Sequence, residues 1–200
     1  MSKPFQVIQF VPAGDVYGGY ITMTEAVEMV LPPHIRSGRA GFAIVFKNFK
    51  ERDRPLDYVT PSSSTVKRRE ELVNDATDLR RGLDYLQTRD DIDGSRIAYH
   101  GLSQGAPEGV IFTAVEDRYR SVVLVSGGMW KPGADSLPEV SAPNFAPHVR
   151  APKLLLNGRY DEVNILKMRV EPLYKLLRDP KKLVSYDGSH TPPLRLLSLS

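Results

Sequence analysis

The stretch Arg96-Ile97-Ala98-Tyr99-His100-Gly101-Leu102-Ser103-Gln104-Gly105-Ala106 runs from a short apolar segment into Gly-x-Ser-x-Gly and then into residues of helical pattern. A serine at the apex of a sharp strand-to-helix turn leaves no room for side chains two residues to either side, where a neighbouring strand or helix would be struck. Gly101 and Gly105 supply that clearance. The string alone is weak, because glycine and serine are common; placed directly after a buried strand it becomes specific.

Around this stretch, six short runs are dense enough in Val, Ile, Leu and Phe to be strands buried on both faces. They are Phe5 to Val11, Gly41 to Phe46, Arg96 to His100, Ser121 to Val125, Lys153 to Asn157 and Lys182 to Tyr186. Longer amphipathic segments separate them, the pattern of an α/β fold with a parallel central sheet. Between Glu70 and Gln87, Leu72, Ala76, Leu79, Leu83 and Leu86 recur at helical spacing and draw one stripe that must pack on the sheet. Further helices are predicted at Thr24 to Leu31, stopped by Pro32-Pro33, and at Val163 to Leu177. Lys50 to Thr65 and Gly127 to Pro152 read as loops. The second, with Met129, Trp130 and Phe145, is long enough to form a lid over a pocket, which makes Trp130 and Phe145 substrate-pocket candidates. With no repeat or linker, residues 1–200 are expected to form a single domain.

Composition narrows the chemistry. The 200 residues are 41% hydrophobic and 26% charged, which excludes a disordered or collagen-like chain. No apolar run reaches the roughly 20 residues of a membrane span, and the first residues lack the charged start and apolar block of a signal peptide, so a cytoplasmic protein is expected. Without cysteine there is no disulfide, thiolate nucleophile or cysteine-based zinc site. The excess of 27 Lys+Arg over 24 Asp+Glu is small, and the one basic run, Lys67-Arg68-Arg69, reads as a solvated helix start, so no nucleic-acid partner is implied.

A serine hydroxyl needs a base to take its proton and an acid to hold that base in the right tautomer. His190 and Asp161 each follow a strand-like run, and the chain order is Ser103, Asp161, His190, at separations of 58 and 29 positions. In a parallel sheet, such strand ends share one rim. Glu162 and Asp187 compete with Asp161 for the acid; Asp187 is expected to make an Asx turn with Gly188 instead. Ser126 also ends a strand but lacks the glycine two residues before it, and is expected to line the rim. His34, His100 and His148 have no metal-ligand spacing and read as cap, strand-end or loop histidines, so no metal is expected.

These residues resemble the α/β-hydrolase superfamily, in the branch of dienelactone hydrolases, prolyl-oligopeptidase-like hydrolases and acetyl-xylan-esterase-like enzymes. Beside the Gly101 to Gly105 elbow, the likeness rests on Leu79 to Leu86 with Asp91-Ile92-Asp93, Leu137-Pro138-Glu139-Val140, Asn144-Phe145-Ala146-Pro147, Asn157-Gly158-Arg159-Tyr160-Asp161 and Asp187-Gly188-Ser189-His190. It implies a three-layer sandwich around a mostly parallel sheet of about six strands. It further implies Ser103 as nucleophile, His190 as general acid and base, and Asp161 as the orienting acid. The oxyanion would be held by the backbone N–H of Gln104 and a second from Ala13 or Gly14.

The expected activity is serine carboxylesterase cleavage of small or short-acyl esters, with no cofactor. Prolyl-type peptidase or amidase activity and a non-catalytic scaffold are the alternatives. Family members usually carry strands ahead of the one matched by Phe5 to Val11, so the resemblance implies an N-terminally shortened sheet with Gly41 to Phe46 at its edge. A long apolar edge invites pairing, either between two chains as a homo-oligomer or with a terminal segment.

Overall fold

The computed structural model describes residues 5–11, 31–44, 46, 66–129 and 137–193. Their centre is a six-stranded sheet of β1 (Phe5–Val11), β2 (Ala40–Ala43), β3 (Ile92–Leu102), β4 (Tyr119–Val125), β5 (Lys153–Gly158) and β6 (Lys181–Tyr186). The spatial order is β2-β1-β3-β4-β5-β6, with every neighbouring pair parallel. Each predicted run falls on one of these strands. Because all six point the same way, their C-terminal ends form one rim, and Ser103, Ser126, Asp161 and His190 all follow such ends.

Alternation along the strands divides the core in two. Ile97, Tyr99, Val122, Leu124 and Leu155 face one side, where they meet Leu72, Leu79, Leu83 and Leu86 of α2 (Val66–Gln87), Val110 and Phe112 of α3 (Gly105–Ala114), and Leu173 of α5 (Glu171–Leu176). Leu102, Val123, Val125, Leu156 and Tyr186 face the other side with Leu31, which belongs to α1, described over residues 31–36. Helices on both faces make the expected three layers. Burying a leucine such as Leu83 fully is worth roughly 1.5–3 kcal/mol, so the α2 stripe anchors that helix firmly. Among the described residues, no helix is long and apolar enough to cross a membrane.

Four expectations need correction. Residues 31–36 are helical, Pro32 and Pro33 included; the helix ends where Gly38 turns to φ 82° and the N–H groups of Ser37, Gly38 and Arg39 close onto carbonyls of the last turn. A proline lacks only its own donor, and the Pro33 carbonyl still accepts from Ser37. The apolar edge is shorter than expected: β2 stops at Ala43, and Phe46 turns inward to pack on Phe112, ring centroids 6.5 Å apart.

The segment from Gly127 to Pro152 is not wholly loop, since Pro138–Val140, α4 (Ala142–Phe145) and Ala146–His148 form successive short helical turns that bury Val140, Ala142 and Ala146. The helix expected over Val163 to Leu177 is a π-turn at Leu166–Val170 followed by α5. The predicted helical residues 24–30 and the loop 50–65 lie outside the described residues.

Candidate active site

Ser103 sits at the turn between β3 and α3 with φ 53°, a left-handed conformation that a non-glycine residue adopts only when its surroundings enforce it. The enforcement is local. Ser103 N–H donates to the Val125 carbonyl of the next strand (2.8 Å), and Ala106 N–H donates to the Ser103 carbonyl (3.0 Å). A Cβ on Gly101 would lie 2.0 Å from the Gly105 carbonyl oxygen, so the sharp turn does require glycine there. Beneath it, the buried Tyr99 hydroxyl donates to that same Gly105 carbonyl (2.7 Å) and pins the start of α3.

The structure brings Ser103, His190 and Asp161 together. His190 Nε2 lies 2.9 Å from Ser103 Oγ, and His190 Nδ1 lies 2.9 Å and 3.1 Å from the two carboxylate oxygens of Asp161. A carboxylate only accepts, so Nδ1 carries the proton and donates; Nε2 then presents a lone pair to the serine hydroxyl. The Asp161 side chain is fully buried, that of His190 is partly buried, and Ser103 is 6% exposed.

Asp161 is itself fixed. Its Oδ1 accepts backbone N–H bonds from Val163 (2.9 Å) and Asn164 (2.7 Å). Asn164 in turn donates through Nδ2 to the Ser126 carbonyl (2.8 Å), and its own carbonyl accepts from Asn157 Nδ2 (3.0 Å). The His190 loop is seated on β5 by Arg159 N–H to the Tyr186 carbonyl (2.8 Å) and Tyr160 N–H to the Gly188 carbonyl (3.0 Å). Burial pushes the Tyr186 hydroxyl above its usual range, which keeps it a neutral donor toward the Ser189 carbonyl (3.4 Å).

Asp187, Ser126, His34, His100 and Phe145 stand outside this hydrogen-bonded triad. Asp187 is exposed and ion-pairs with Arg159 (3.2 Å). Ser126 is fully buried with φ 50°, its Oγ 3.3 Å from the Tyr186 hydroxyl, so it is a structural corner and does not line an open rim. His34 and His100 are not peripheral; they are buried against each other, His34 Nε2 3.1 Å from His100 Nδ1. Phe145 is half-buried against the core on the α2 and α3 side of the sheet. Ala13, Gly14 and Trp130 lie outside the described residues, and the Gln104 backbone directly follows the serine at the start of α3. Among the described residues, no group of three or more His, Asp or Glu could hold a metal ion.

Two features escaped the sequence reading. Asn164 carries no periodic signal. Arg68, which by sequence reads as solvated, is 3% exposed and meets Glu108 of α3; the α2 stripe, extended one turn before Leu72, lands on it.

The sheet, its helices and the strand-end elbow are those of the α/β-hydrolase fold. A dienelactone hydrolase from Anabaena variabilis superposes with a TM-score of 0.68 at 20% identity, covering 98% of this chain and 83% of that one. An acetyl xylan esterase from a Paenibacillus species gives 0.67 at 15% identity, over 98% of this chain and 74% of that one. Est1E from Butyrivibrio proteoclasticus, in a structure with ferulic acid bound, gives 0.70 at 15% identity, over 98% and 86%. No protein-family model matches the chain, and no curated protein does.

Proposed function

We propose that this protein is a serine hydrolase that cleaves small or short-acyl carboxylic esters through an acyl-enzyme. In the first half-reaction Ser103 Oγ attacks the ester carbonyl carbon while His190 Nε2 takes the hydroxyl proton. The resulting oxyanion is met by the backbone N–H of Gln104 and by a second donor, for which Ala13 and Gly14 are the candidates. The tetrahedral adduct collapses as the bond to the leaving alkoxide breaks, and His190 returns the proton to that oxygen. Water then attacks the acyl-serine with His190 again as base, releasing the carboxylic acid and restoring the serine. Asp161 keeps the imidazole in the tautomer with its proton on Nδ1 and stabilises the imidazolium that forms.

The observation that carries this reading is the unbroken hydrogen-bonded chain from Ser103 Oγ through His190 to Asp161, 2.9 Å at each link. The names of the solved proteins that share the fold favour an ester substrate. The test is labelling with a fluorophosphonate, mapped by mass spectrometry, beside rates on p-nitrophenyl acetate and a prolyl anilide. Label on Ser103, its loss in Ser103→Ala, and turnover of the ester well above the anilide are expected. Faster anilide cleavage would move the protein to the amidases, and a folded chain that takes no label would leave a scaffold.

A further inference from the structure

We propose that Glu108, held by Arg68, is a positioning residue for the backbone N–H of Gln104; the inference rests on the oxyanion role given to that N–H above. The peptide linking Ser103 to Gln104 is planar and trans, so its C=O and N–H point in opposite directions. The carbonyl end is fixed inward by the Ala106 N–H at 3.0 Å. Ser103 N–H on Val125 and the Gln104 carbonyl, which accepts from Glu108 N–H at 3.3 Å, limit rotation about the bonds flanking the peptide, and the Gln104 side chain adds to that restraint.

It does so by turning into the protein. Gln104 Nε2 donates to Glu108 Oε1 at 2.8 Å, one helical turn along α3, and both side chains are buried. The same Oε1 takes the guanidinium of Arg68 from α2, whose other nitrogen reaches Glu71 at 3.4 Å. Asp75 stands near this cluster, and burial first and the Glu108 charge next hold its carboxyl well above the usual range.

A buried ion pair is weak support for stability, because apolar residues of the same volume would serve as well or better. Its use here is geometric. An ionised acceptor binds an amide donor more tightly and at shorter range than a neutral one, and Arg68 fixes which way that acceptor faces. Arg68, the one buried member of the basic run, is thereby tied through Glu108 to the Gln104 side chain.

The experiment compares Gln104→Met, which keeps the backbone N–H and every charge, with Glu108→Gln and with Glu108→Leu made together with Arg68→Met. Each variant is assayed on p-nitrophenyl acetate and for affinity to phenylboronic acid, whose tetrahedral serine adduct places an oxygen where the oxyanion forms. For Gln104→Met we expect kcat to fall about 10- to 100-fold, less than or up to the loss of a whole donor, with KM within about twofold. Boronate affinity should weaken by a similar factor. The apolar double variant should lose as much while staying folded, and Glu108→Gln, which keeps an oxygen acceptor, should lose less. Wild-type kcat and boronate affinity in Gln104→Met would overturn the inference while leaving the ester hydrolase intact. A wild-type chain that neither turns over ester nor labels at Ser103 overturns both.

Discussion

His34 and His100 give the protein an acid-sensitive core. Their rings meet edge to face at 5.2 Å, both side chains are fully buried, and His34 Nδ1 has no hydrogen-bond partner. Burial, with the Arg39 cation adding to it, lowers His34 from 6.5 to about 4; burial and the neighbouring His34 lower His100 from 6.5 to about 3. A folded value below the unfolded one means the unfolded chain takes up protons first, so this stability is present above pH 6.5 and is lost as pH falls toward the folded values. At pH 5 an unfolded imidazole is almost wholly protonated while both folded rings remain neutral, which costs about 2 kcal/mol per ring and about 4 kcal/mol for the pair. That is a large share of the roughly 5–15 kcal/mol that holds an ordinary domain together. Urea unfolding of the wild type and of a His34→Leu, His100→Leu double variant, at pH 7.5 and pH 5, isolates the effect from the carboxylates that titrate in both. The double variant should lose about 4 kcal/mol less over that interval. Parallel losses in the two proteins would refute the reasoning.

Three further outcomes follow from the geometry. In Gly127→Ala the new Cβ would lie 2.2 Å from Ala106 Cβ and 2.9 Å from the Ser103 carbonyl oxygen, so the elbow must shift; about 1–3 kcal/mol of stability should go, with slower fluorophosphonate labelling, and unchanged melting and labelling would contradict the packing. Asp161→Asn keeps a carbonyl for the Val163 and Asn164 N–H bonds but can present an amide to His190, so kcat should fall by on the order of 10⁴ with the fold intact, and a loss below tenfold would remove Asp161 from its role. We also propose that two chains pair through the edge strand β2, where Gly41 is exposed; sedimentation velocity should show a dimer, and a monomer across the accessible concentration range would end that idea.

Much of this was legible because parallel strands buried on both faces write themselves as dense apolar runs. Phe5–Val11 was delimited to the residue, and Lys153–Gly158 differs from its predicted run by one position. The chain order of Ser103, Asp161 and His190 was readable for the same reason, since each follows a strand end and a parallel sheet gathers those ends. What escaped depends on contacts between elements distant in sequence. Arg68 looked like a solvated cation because charge usually marks a surface, and only its place at the head of the Leu72 stripe hinted otherwise. The His34 to His100 contact joins residues 66 positions apart, beyond any local pattern. Pro32 and Pro33 carry the sequence signal of a helix stop, yet the fixed φ of proline suits a helix and its carbonyl can still accept.

The rim is held by two strained corners, and they are linked. Ser103 and Ser126 end adjacent strands with φ 53° and 50°, each costing about 1–3 kcal/mol that the surroundings must offset. Each donates its N–H to the strand beyond, Ser103 to Val125 and Ser126 to Leu156, both at 2.8 Å, so the chain leaves the sheet twice by the same step. Gly127, directly after the second corner, has no side chain to strike Ala106 behind the first. The Ser126 carbonyl is the acceptor for the side chain of Asn164, whose backbone N–H holds Asp161. The strain at Ser126 thus places the carbonyl that anchors the acid loop, as the strain at Ser103 places the hydroxyl. A relaxed backbone at either corner would leave the imidazole of His190 with a partner on one side only.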